Sequence, residues 1–158
     1  MKAIHWITAA AGLAFVQLTP TLAATTDPEV LIYRFPGVRD DGGGDNAGVA
    51  TVFHCTNFSG VTEHIRWVTR DRDGTLKGSN LLGVINHLVT ATVSTHLVAA
   101  YDNETVQATG VVAQGTTAIA ATSSNIICTA ESIDASTAAP VGVARRGIRF
   151  NPAPGSQE

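Results

Sequence analysis

Charge is what this 158-residue chain has least of. Asp, Glu, Lys and Arg make up 15% of it, with ten basic residues against 13 acidic ones. Binding to phosphate backbones or anionic lipid needs a basic stripe, and a formal net charge of −3 argues against both. Methionine occurs only at position 1 and cysteine only twice. Two cysteines leave no C-x-x-C redox motif and no third or fourth thiolate for a structural zinc site. No apolar run reaches the roughly 20 residues that cross a bilayer as a helix, and no solenoid or propeller period recurs. Lys and Leu are sparse while Thr, Val, Ala and Gly abound, a balance that favours strands over long helices.

What the N-terminus does contain is a leader pattern. Lys2 supplies a positive start, an apolar run extends from Ile4 to Leu18, and Pro20 breaks it before Thr21-Leu22-Ala23-Ala24. A charged start, a short apolar stretch and small residues at the end mark a cleavable secretory signal. The pattern predicts a signal peptide over 1–24, one domain over 25–151 and a flexible tail over 152–158. No cysteine follows the apolar run to carry a lipid, and no Arg-Arg pair precedes it. The expected location is therefore periplasmic or secreted, without a membrane span after cleavage. About 135 residues remain, one domain's worth.

In an oxidising compartment an even cysteine count reads as a disulfide. Cys55 and Cys128, 73 residues apart, are the expected pair. Closing a loop of that length restricts the unfolded chain by roughly 4 kcal/mol in the chain-entropy account.

The rest of the chain reads as short strands between turns. Strands are predicted over Val30–Phe35, Val49–Asn57, Thr62–Arg70, Thr105–Ala113, Thr116–Thr122, Asn125–Ile133 and Val141–Phe150. Asp71-Arg72-Asp73-Gly74 predicts a hairpin turn. Leu81–Ala100 is the ambiguous stretch: Leu81, Ile85, Leu88 and Thr92 have helical spacing, but its many β-branched residues favour two strands.

Trp67 lies on the strand after Cys55, and this Cys–Trp–Cys order resembles immunoglobulin-type sandwiches. The tyrosine that such domains carry two residues before the second cysteine is Ile126 here. The resemblance implies an all-β, Greek-key, immunoglobulin-like β-sandwich with one inter-sheet disulfide, Cys55–Cys128, beside Trp67. A second resemblance rests on Ile32-Tyr33-Arg34-Phe35-Pro36-Gly37, Thr51–Asn57, Ile126-Ile127-Cys128-Thr129-Ala130 and Phe150-Asn151-Pro152. Over nearly its full length the chain resembles short exported proteins of proteobacterial type that have no assigned function. That likeness implies compartment and compactness, and no site.

Residues with chemical potential are scattered. Asp40–Asn46 is acidic and glycine-rich, as calcium loops are, but in a single copy of generic type that also suits a solvated loop. Asp71-Arg72-Asp73-Gly74 superficially matches an EF-hand, yet Thr69 and Asn80 fall where carboxylates are required. His54 and His64 would approach each other if their strands formed a hairpin; His87 and His96 have no metal-pair spacing. Ser123-Ser124 lacks a nucleophile elbow. Glu63, Asp102, Glu104, Glu131 and Asp134 form no recognisable carboxylate pair, and Arg145, Arg146 and Arg149 read as a solvated strand end. Asn57-Phe58-Ser59 and Asn103-Glu104-Thr105 are glycosylation patterns that would mark surface loops in a eukaryotic source. No catalytic, metal or cofactor residue is assigned. The expectation is a non-enzymatic protein that binds a protein or glycan of the cell envelope. A pilin- or coat-like structural subunit and a hydrolase are the alternatives.

Overall fold

The computed structural model describes residues 28–139 and 141–150, so the signal expected at 1–24 and the tail at 152–158 lie outside the described residues. Ten strands follow one another: β1 (Val30–Asp40), β2 (Val49–Asn57), β3 (Glu63–Arg70), β4 (Leu76–Ile85), β5 (Thr90–Ser94), β6 (Glu104–Val106), β7 (Val112–Ala121), β8 (Ile126–Asp134), β9 (Gly142–Arg145) and β10 (Ile148–Arg149). They build two five-stranded sheets, ordered β10-β1-β7-β3-β4 and β6-β5-β2-β8-β9. Every pairing is antiparallel except β5 with β6. The chain changes sheet at β1–β2, β2–β3, β4–β5, β6–β7, β7–β8 and β9–β10. Hence β2 lies beside β8 in one sheet while β3 lies beside β7 in the other. Leu81–Ala100 contributes strands and no helix, as its β-branched content predicts.

Alternation explains the packing. On β3, Glu63, Ile65, Trp67 and Thr69 turn inward, while His64, Arg66 and Val68 are half-exposed. The core between the sheets gathers Phe35, Phe53, Ile65, Trp67, Ile119 and Ile126. Each such side chain contributes roughly 1.5–3 kcal/mol by leaving water. A smaller cluster of Ala50, Val52, Val98, Ile133 and Ala135 forms on the outer face of the second sheet. There the segment after β5 folds back and covers it, bringing Tyr101 over the sheet. Polar stitches join the layers. Thr51 Oγ1 of β2 donates to the Arg39 carbonyl of β1 at 2.8 Å and accepts from the Arg39 amide at 3.0 Å.

The disulfide departs from expectation in place, not in partners. Cys55 and Cys128 are bonded, but they are direct register partners on neighbouring β2 and β8, within one sheet. Their Cα atoms are 4.1 Å apart, the spacing of a narrow, non-hydrogen-bonded antiparallel pair. The immunoglobulin-type arrangement needs the two cysteines on facing sheets; here Trp67 sits in the opposite sheet from both. The inter-sheet bridge is therefore corrected to a cross-strand one.

Two predicted strands are divided. Thr105–Ala113 breaks because Ala108 and Gly110 adopt positive φ of 54° and 62°. The break turns Gln107 into the core, where Thr69 Oγ1 donates to its Oε1 at 2.8 Å. Val141–Phe150 splits into β9 and β10 on different sheets. The crossing passes over Phe35 at Gly147, where a Cβ would lie 2.4 Å from the ring.

Candidate functional site

Three turns meet at one end of the sandwich: β2–β3 (58–62), β4–β5 (86–89) and β7–β8 (122–125). The register brings them together, since Asn57 pairs with Ile126, Thr56 with Thr90 and Glu63 with Ile85. Their hub is Asn57, which is fully buried. Its Nδ2 donates to the carbonyls of Val61 at 2.7 Å and Ile85 at 2.9 Å, and its Oδ1 accepts from the Ser59 amide at 2.8 Å. Its backbone donates to the Val89 carbonyl at 3.1 Å and accepts from the Leu88 amide at 2.8 Å. Side chain and backbone of this one residue together therefore tie two turns to the sheet edge. The glycosylation reading of Asn57 is corrected accordingly, because its amide nitrogen is enclosed and already donating twice.

Further bonds lock the same end. Thr62 Oγ1 donates to Asn86 Oδ1 at 2.8 Å, and the Gly60 amide donates to His87 Nδ1 at 3.1 Å. The Phe58 amide donates to the Asn125 carbonyl at 2.9 Å, which fastens the third turn. Beneath them Thr122 Oγ1 donates to Glu63 Oε2 and accepts from the His64 amide. Glu63 is fully buried and its Oε1 has no hydrogen-bond partner.

This rigid end presents apolar side chains to solvent. Phe58 is 49% exposed, Leu88 65% and Val89 47%. Leu88 also has a φ of 62°, in the left-handed region. The turn closes with the Val89 amide donating to the Asn86 carbonyl at 3.1 Å, so Leu88 holds the position where glycine or asparagine is preferred. A left-handed conformation costs a leucine about 1–2 kcal/mol. The backbone gains the bond from the Leu88 amide to Asn57, but the side chain points out and recovers none of that cost by packing.

The other sequence candidates are placed as follows. His54 and His64 lie on different sheets, so the hairpin that would unite them does not form. Asp71–Gly74 is a turn: Gly74 has a φ of 84° and its amide donates to the Asp71 carbonyl at 3.0 Å. Within Asp40–Asn46, residues 41–46 are exposed, as the solvated-loop reading expects, and Asp40 alone, the last residue of β1, turns inward. Asp40 is buried, and its Oδ2 meets His96 Nδ1 at 2.8 Å while His96 Nε2 meets the Ala47 carbonyl at 3.0 Å. Hydrogen bonds to backbone, chiefly from Val49, hold the Asp41 carboxyl below its ordinary range, with the His96 charge adding to them. The Asp40–His96 couple has the orientation of two members of a hydrolytic triad, but a backbone carbonyl, which can only accept, stands where a nucleophile's hydroxyl would donate. It clamps the loop to the sandwich.

A second cluster occupies the outer face of the β6-β5-β2-β8-β9 sheet. Tyr101 donates its hydroxyl to Glu131 Oε1 at 2.5 Å, and His54 Nε2 lies 3.7 Å from the same oxygen. His54 Nδ1 is 3.0 Å from Thr92 Oγ1, and its ring meets Tyr101 edge-on at 4.8 Å. Burial, together with the hydrogen bond to Glu131 and the charges of Glu131 and Glu104, pushes the Tyr101 phenol up to about 12. Among the described residues no group of three His, Cys, Asp or Glu side chains is arranged to hold a metal ion.

Asn57 and Leu88 were beyond sequence reasoning for different reasons. Asn-x-Ser is a local turn signal that fits the Ser59 contact, but the longer bonds of Asn57 depend on tertiary pairing. A leucine at positive φ has no sequence signal at all. No protein-family model, curated protein or solved structure matches this chain.

Proposed function

We propose that the chain is an exported, non-enzymatic binding protein that engages a partner protein of the envelope through the three-turn end of its sandwich. Its leader pattern, the resemblance to exported proteins of proteobacterial type and the Cys55–Cys128 bond support a location outside the cytoplasm. The step of β2–β3 between sheets, matched by β7–β8, supports a Greek-key description of the scaffold.

Leu88 carries the functional reading. Backbone strain that does not improve the protein's own packing is a mark of selected geometry, and here it projects an aliphatic side chain beside Phe58 and Val89. The Asn57 network holds the three turns in advance, so little ordering entropy remains to be lost on association. Apolar anchors on a rigid loop surface suit a protein with a complementary apolar recess better than a glycan, which needs polar partners.

The test is affinity capture from extracytoplasmic extract, comparing wild type with Phe58→Ser and Leu88→Gly by quantitative mass spectrometry. One partner should be enriched by wild type and reduced about tenfold or more by either variant, with unchanged circular dichroism. Equal capture by all three proteins, or no partner for any, would overturn the proposal.

A further inference from the structure

We infer that the recess on the outer face of the β6-β5-β2-β8-β9 sheet binds a primary alkylammonium group. The recess has a volume of about 340 Å³ and is lined by His54, Tyr101, Thr129, Ala130, Glu131 and Ala144. It lies on a different face from the apical turns, so it stands or falls independently of them.

The chemistry of the walls selects the ligand. Tyr101 gives its only proton to Glu131, which leaves lone pairs on the phenolic oxygen. Glu131 is a carboxylate and accepts only, and Thr129 adds a hydroxyl oxygen. His54 has Nδ1 engaged with Thr92 and Nε2 turned toward Glu131. The oxygens facing the recess are thus chiefly acceptors, and no lysine or arginine is among its lining residues. A neutral polyol needs donors as well as acceptors, whereas an ammonium brings three donors and no acceptor.

Charge points the same way. Glu104 stands close enough to act on Tyr101, and its Oε2 is buried without a hydrogen-bond partner. Its other oxygen accepts the Val98 amide at 2.7 Å, which fixes its position. One carboxylate, Glu131, therefore lines the recess beside an aromatic wall, and the charge of Glu104 reaches that wall from outside the lining, an arrangement that attracts a cation through charge and ring together. The alkyl part of the ligand has Ala144 and the two rings to lie against. Both a free amine and a lysine side chain carry this group.

Protein-observed NMR titration tests it, with n-butylammonium and Nα-acetyl-lysine amide as cationic probes and n-butanol as the neutral isostere. Saturable shifts should appear at His54, Tyr101, Thr129 and Glu131 with a dissociation constant on the order of millimolar. Stronger binding of the acetyl-lysine amide would identify the source as a protein side chain, and stronger binding of butylammonium a free amine. Glu131→Gln should weaken binding about tenfold, and Thr129→Val, which retains the carboxylate, severalfold. Leu88→Gly should leave it unchanged, which separates this site from the apical one. Absence of saturable shifts, equal binding of butanol, or undiminished binding by both recess variants would overturn the inference.

Discussion

Asn57 and Leu88 show how a single residue sets the geometry of a surface. Asn57→Ala removes two donors and an acceptor from a buried position, taking these partners from the Ile85 carbonyl and the Ser59 amide and leaving the Val61 carbonyl only its bond from the Ser59 hydroxyl. The expected loss is about 3 kcal/mol, read from denaturant unfolding, with increased amide exchange at the β2–β3 and β4–β5 turns. Leu88→Gly behaves differently: relief of left-handed strain offsets the added freedom of glycine in the unfolded chain. Its stability should stay within about 1 kcal/mol of wild type. A buried strand-end asparagine and an exposed leucine thus invert what their residue types suggest. Asn57 reads as punctuation and Leu88 as part of a helical stripe, because their roles come from contacts of Asn57 with Ile85, Val61 and Leu88 itself that the sequence does not show.

At the scale of elements, β2 was the most legible. Its strict alternation over Val49–Asn57 fixed both its ends and its inward face, on which Phe53 and Cys55 lie. The stretch around Gln107 was least legible, since the left-handed turn at Ala108 has no residue-type signature. The cysteine pairing followed from the count of two, but its sheet did not, because strand adjacency depends on the β2–β3 and β7–β8 crossings. That placement has a consequence. A bond between strands already paired over nine positions constrains the unfolded chain without holding the two sheets together. The Cys55→Ala/Cys128→Ala variant should therefore lose about 4 kcal/mol or less and keep its native near-ultraviolet dichroism. Loss of that signal, at a temperature where the variant remains folded by far-ultraviolet dichroism, would mean that the bond itself keeps the layers packed.

For the molecule as a whole, ionisation brackets the stable range. Asp71, Asp73 and Asp134 are held below the ordinary 3.8 by hydrogen bonds in their turns, chiefly from the Arg72 amide, the Thr75 amide and the Ser136 hydroxyl. Asp41 is lowered as well. Lowered carboxyl values add stability that is present above 3.8 and lost as pH falls through the folded values. Tyr101 acts in the opposite sense: its raised value adds stability that is full below 10 and lost as pH climbs from 10 to about 12. Melting temperature against pH should fall below about 4 in the acid limb. The alkaline limb should flatten in Tyr101→Phe.

The apical surface joins these scales, since a buried asparagine, a strained leucine and three turns from both sheets converge on it. A photo-reactive residue placed at position 88 tests it most directly, with position 111, exposed at the opposite end of β7, as the control. On irradiation in extracytoplasmic extract, position 88 should yield one discrete crosslinked species and position 111 none. Crosslinking to that species from position 111 but not from position 88 would contradict the assignment of the apical turns as the binding surface.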